Sequence, residues 1–198
     1  MLKQYGIMFC ALFAATASLA LAADQQGTEQ WQTQDAPPWA PVGALPPGTN
    51  GAQFRAVLDG NSEVPLVVTT GSGQVTASVS SDQKAISVTL NFAKLAGVAK
   101  SASIYLGLPG TIGGAVAPIC GGTMPACPST ADGSVTATVQ ASDVTAINTQ
   151  GLAAGDLASV ITALNAGHLY VNVVTDKFSN GEIRGQLAHG FDVGRGHN

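Results

Sequence analysis

The stretch HLYVNVVTDKFSNGEIRGQL, residues 168–187, decides how the chain folds. Leu169, Val171 and Val173 alternate with His168, Tyr170, Asn172 and Val174. After a polar turn carrying Asn180 and Gly181, Ile183 and Leu187 alternate with Glu182, Arg184 and Gln186. A period of two marks extended chain, because successive side chains of a strand leave on opposite faces. The stretch reads as a β-hairpin with one apolar face and one face bearing a tyrosine, an asparagine and an acid–base pair.

The same rhythm runs upstream. Phe54, Ala56 and Leu58 share a face, as do Val75, Ala77 and Val79, then Ile86, Val88, Leu90 and Phe92, then Ala102, Ile104 and Leu106, and finally Val135, Ala137 and Val139. Turn-forming clusters such as 59–62, 70–73 and 80–83 separate them. Strands that are apolar on one side and rich in Ser and Thr on the other must cover their apolar sides. The expected fold class is all-β: an antiparallel two-sheet β-sandwich, Greek-key and immunoglobulin-like, with the polar sides in water. One short helix interrupts the series before the hairpin. Leu157, Val160, Ile161 and Leu164 fall on one face, Asp156 caps the start and Gly167 stops the end, which suits a lid over an open end. Residues 107–133 form a Gly- and Pro-rich excursion with a strand candidate at 115–119, the kind of long loop that is functional or disordered.

The ends read differently. Residues 1–23 carry Lys3, an apolar run and small residues at Ala20, Ala22 and Ala23, the pattern of a secretory signal peptide. Residues 24–52 are rich in Gln, Pro and Gly, a flexible linker spanning roughly 30 Å, in which Trp31 and Trp39 are isolated aromatics. The folded domain is expected over 53–187 and a polar, frayed tail over 188–198, with His189 and His197 in solvent. Beyond the leader seven Lys and Arg stand against twelve Asp and Glu, with no basic cluster, which argues against nucleic acid and anionic lipid. No later segment has the roughly 18 apolar residues of a membrane span. Cys120 and Cys127, close together in a chain bound for an oxidising compartment, are expected to form a disulfide worth about 2.5 kcal/mol at most. A two-cysteine metal site would need histidines nearby, and there are none.

Tyr170-Val171-Asn172-Val173-Val174-Thr175 followed by Gly181-Glu182-Ile183-Arg184-Gly185-Gln186-Leu187 resembles the closing signature of the chordin-type, or CHRD, domain. The opening is similar too: Phe54-Arg55-Ala56-Val57-Leu58 leads into Asn61-Ser62-Glu63-Val64-Pro65 and then Thr69 to Gly73. The resemblance covers 53–187 and implies a secreted β-sandwich module, found in bacterial exported proteins and in an animal antagonist of growth factors. Members of that family usually carry His-Ile-His in a central strand and a further His in the last strand pair. Here the first motif is Ser103-Ile104-Tyr105 and the second is Val173-Val174-Thr175. Ser, Tyr and Val do not replace imidazoles as copper or zinc ligands, so the resemblance carries no metal site to this chain.

Other candidate chemistry is sparse. His168, the one histidine within 53–187, would have to serve as base to every serine without an obvious orienting carboxylate, and a strand-start role explains it. Asp59, Asn61 and Glu63 offer oxygens at alternate positions, as a calcium loop does, but Asp-Gly-Asn is also strong turn chemistry. Glu182 and Arg184, two apart on one strand face, pin the last strands together. Covered by Tyr170 and Tyr105, they make a small polar pocket with a bidentate donor for a carboxylate. Tyr105, Tyr170, Asn172, Glu182 and Arg184 are thus the candidate ligand-binding residues, with no catalytic residue, metal or cofactor assigned. The expected function is that of an exported, non-enzymatic module binding an extracytoplasmic protein, glycan or small ligand. The alternative is a periplasmic copper- or zinc-binding β-sandwich protein.

Overall fold

The computed structural model describes residues 52–190. The expected signal peptide, most of the expected linker with Trp31 and Trp39, and the tail from residue 191 lie outside the described residues. In chain order the elements are β1 (Gln53–Asp59), β2 (Ser72–Val79), β3 (Ala85–Ala93), β4 (Ala99–Leu106), β5 (Gly114–Cys120), β6 (Gly133–Gln140), α1 (Leu157–Asn165), β7 (Leu169–Thr175), β8 (Ile183–Gln186) and β9 (Ala188–His189). Two short 3₁₀ turns lie between β6 and α1. The alternating segments all form strands, the 115–119 candidate included, and the Cys120–Cys127 disulfide is formed.

The two separate sheets expected are not found. The strands make one antiparallel sheet in the order β5-β4-β7-β8-β1-β2-β3-β6, whose terminal strands β5 and β6 come against each other, so the sheet is nearly closed into a barrel. The join between its halves is narrow: β8 meets β1 at the single pair Asp59↔Arg184, and β9 continues along β1 at Phe54↔His189 and Arg55↔Ala188. Gly185 makes the join possible. A Cβ at that position would stand 2.2 Å from the Val57 carbonyl oxygen, so only glycine lets β8 lie this close to β1. Pairing thereby runs two residues past 187, and His189 packs its ring on Phe54 at 4.6 Å between centroids.

The inner faces meet in one core that includes Phe54, Leu58, Leu90, Val171, Val173 and Ile183. α1 covers the end of the barrel where β4 finishes and β7 begins. Asp156 caps it by accepting the Ser159 N–H at 3.0 Å, and Leu157, Val160, Ile161 and Leu164 are buried. Leu106, Val116 and Leu169 lie beneath it.

Gly185→Ala forces that Cβ against the β1 backbone and should lower stability by about 2–4 kcal/mol, read as a shifted urea midpoint with an unchanged slope.

Candidate functional site

The outward face of the hairpin was expected to be wet; it is not. Tyr170, Asn172 and Arg184 are respectively 2, 7 and 3 % exposed. Two loops cover them. Residues 107–113 fold over one side, where the Gly113 N–H donates to the Tyr170 hydroxyl at 3.1 Å, Arg184 donates to the Leu108 carbonyl at 3.3 Å and Gln186 donates to the Gly107 carbonyl at 2.9 Å. From the other side comes the turn after β1, which brings Glu63 in beside Asn172 and Gly181.

Strand register brings four of the five candidate residues together. β4 and β7 pair Tyr105 with Tyr170 and Ser103 with Asn172, while β7 and β8 pair Asn172 with Arg184. The Tyr105 and Tyr170 rings stack at 5.1 Å with 10° between planes, and the Arg184 guanidinium lies 3.4 Å above the Tyr170 ring. Stacking of this kind favours a planar cation on the ring's negative face. Burial pushes the Tyr105 hydroxyl above its ordinary range, helped by Tyr170 and by Glu63. Ser103, Tyr105 and Val174, where the family's histidines would stand, belong to this same face: Val174 pairs with Ser101, two residues along β4 from Ser103.

Glu182 is not part of the cluster, contrary to the expectation of a neighbouring acid–base pair. It precedes β8 and points inward with Ile183; both crowd the position a Cβ on Gly71 would take. Two successive side chains turned the same way mean that the alternation fails at Glu182 itself, in the turn before β8, so it does not stand beside Arg184. Its carboxylate, fully buried, accepts from the Thr69 hydroxyl at 2.7 Å, the Thr175 hydroxyl at 2.9 Å and the Ala96 and Gly97 N–H groups at 2.6 and 3.3 Å. Four donors from three stretches of chain meet on one group. It is a structural clamp at the barrel end opposite α1.

The residue missed as a member of the site is Glu63. Asp59 accepts the Ser62 N–H at 2.8 Å, closing the turn as expected, while Glu63 leaves that turn and is buried at 7 % exposure. Burial raises its carboxyl to about 7 against the pull of Arg184 and the Val64 N–H. Beside it opens a cleft of about 310 Å³ lined by Val64, Pro65, Leu66, Phe178 and Gly181. His168 is exposed at the start of β7, and among the described residues no three His, Cys, Asp or Glu side chains stand close enough to share a metal ion. The signal that could have found Glu63 was its place in the Asn-Ser-Glu-Val-Pro segment, which lies far from the hairpin in sequence but next to it in space.

In comparison with known families, the CHRD domain matches residues 54–187. No curated protein and no solved structure shows a match to the chain.

Two outcomes follow from these carboxyls. Glu182→Ala strands two buried backbone N–H groups and should cost about 3–5 kcal/mol in chemical unfolding. Glu63 works through pH: the folded chain keeps its proton up to about 7, whereas the unfolded chain releases it near 4.5. Its contribution to stability is therefore full below about 4.5 and lost as the pH climbs to about 7, a fall of about 2–3 kcal/mol that Glu63→Gln should abolish in urea melts across that range.

Proposed function

The chain belongs to the CHRD domain family, and from that premise we propose that it is an exported, non-catalytic recognition module that takes a carboxylate-bearing ligand at Arg184. Export is supported by the Cys120–Cys127 disulfide, which belongs in an oxidising compartment, and by the leader-like residues 1–23.

One observation carries the ligand class. Among the described residues Arg184 is a buried cation with no carboxylate paired to it; its partners there are the Tyr170 ring and the Leu108 carbonyl, and Glu182, the acid nearest in sequence, is committed to other donors. A buried charge without a counter-charge is costly, and an incoming carboxylate supplies the counter-charge with geometry that matches a guanidinium. The setting suits recognition. Large apolar side chains exposed among the described residues are Val57, Leu66, Val68, Leu108 and Ile112. They stand on β1 next to β8 and on the two loops that cover the cluster, giving a polar, aromatic centre with an aliphatic surround, as in protein and ligand interfaces.

Titrating isotope-labelled protein with benzoate at pH 6 should move the NMR signals of the Arg184 side chain, Tyr170 and Leu108, while neutral benzamide leaves them in place. Arg184→Lys, which keeps the charge and loses the planar fork, should weaken the effect about tenfold. Silence toward benzoate, or turnover of an ester, peptide or glycan abolished by one substitution in the cluster, overturns this reading.

A further inference from the structure

Two oxygens beside Arg184 have no partner among the described residues. Asn172 Nδ2 donates to the Asn180 carbonyl at 3.0 Å, which fixes the direction of the amide and leaves Oδ1 buried and unsatisfied. Glu63 Oε1 is likewise buried and unsatisfied. The two point at the same place: a Cβ built on Gly181 would lie 2.3 Å from the Asn172 oxygen and 2.4 Å from the Glu63 oxygen. Two acceptors held together away from water are each left without a hydrogen, a costly state for any buried polar atom. One proton between them removes the cost. It belongs on the carboxyl, since an amide oxygen does not hold one in this range.

We propose that Glu63 is a neutral carboxylic acid in the folded protein, donating its O–H to Asn172 Oδ1, and that losing this proton makes it the internal counter-ion of Arg184 and shuts the site to an external carboxylate. The second half rests on the anion reading given above; the first does not.

The surroundings agree. Arg184 reaches Glu63 from β8, Tyr105 from β4 with Tyr170 of β7 stacked on it, Lys177 borders the same cleft, and Asp59 begins the turn that Glu63 ends. Glu182, next in the chain to Gly181, is turned into its own four donors. Arg184 is thus the cation that pulls on the Glu63 carboxyl, and burial outweighs it, which raises the carboxyl to about 7. While Glu63 is protonated, Arg184 lacks a counter-charge. Once Glu63 ionises, the same guanidinium has an acid of its own, and an incoming carboxylate meets a like charge.

The test uses the full chain and two readouts. The Glu63 side-chain carboxyl, followed by carbon NMR from pH 4 to 9, should titrate near 7, with the Asn172 side-chain amide moving at the same midpoint. A Glu63 midpoint near 4.5, or an Asn172 amide indifferent to it, overturns the shared proton. Benzoate affinity should fall about tenfold between pH 6 and pH 8 in the wild type. In Glu63→Gln, whose amide N–H replaces the acid's O–H toward Asn172, the two affinities should be equal. A wild-type affinity that does not change with pH while Glu63 titrates overturns the switch. No benzoate binding at either pH overturns the recognition reading and the switch with it, and the NMR titration still decides the shared proton.

Discussion

The barrel depends on a single buried carboxylate. Glu182 gathers the loop before β2, the link between β3 and β4 and the end of β7 onto one group, at the end of the barrel that α1 does not cover. The β3–β4 link is irregular backbone whose Ala96 and Gly97 N–H groups would otherwise enter the interior without partners, and the two threonine hydroxyls gain an acceptor there as well. At the other end an amphipathic helix does the same task by burying Leu157, Val160, Ile161 and Leu164. One mouth is sealed by apolar packing and the other by hydrogen bonds. The first tolerates conservative change in volume; the second tolerates almost none, since its donors are fixed backbone and short hydroxyl side chains.

That clamp also explains the location of the cluster. With Glu182 drawn inward at the turn, the next residue to face outward on β8 is Arg184, opposite Asn172. Covering loops then take away the water that a surface guanidinium would have, and the Tyr105–Tyr170 stack becomes its support. A cation in this position gains from the ring but is not neutralised by it. The local chemistry of the site is this imbalance, together with the Glu63 carboxyl held close by.

Much of this was legible in the residues. Period-two alternation located the main strands, the 3.6-residue spacing located α1 with its cap at Asp156, and the spacing of Cys120 and Cys127 gave the disulfide. The two motifs flanking the domain pointed to the family that the comparison shows. Three things were not legible, each for a physical reason. Alternation tells which side chains share a face but not which strand lies beside which, so the join of β8 to β1 through Gly185 could not be separated from two stacked sheets. Alternation holds only within a regular strand, and Glu182 lies in the turn before β8, so the period-two rule gave it the face of Arg184. Burial of the outward face comes from loops about 60 and 120 residues earlier in the chain, and no local pattern carries such contacts. Those same long-range contacts brought Glu63 to the site.

The near-closure of the sheet has a consequence for how the molecule behaves in a crowd. An open sheet displays a row of unpaired N–H and C=O groups at each border, and such a row is a template for polymerisation by neighbouring copies. Here the two borders, β5 and β6, lie against one another, and the disulfide fastens the end of β5 to the segment that leads on to β6. Each border shields the other. The folded chain thereby presents little exposed ladder on which aggregation can grow.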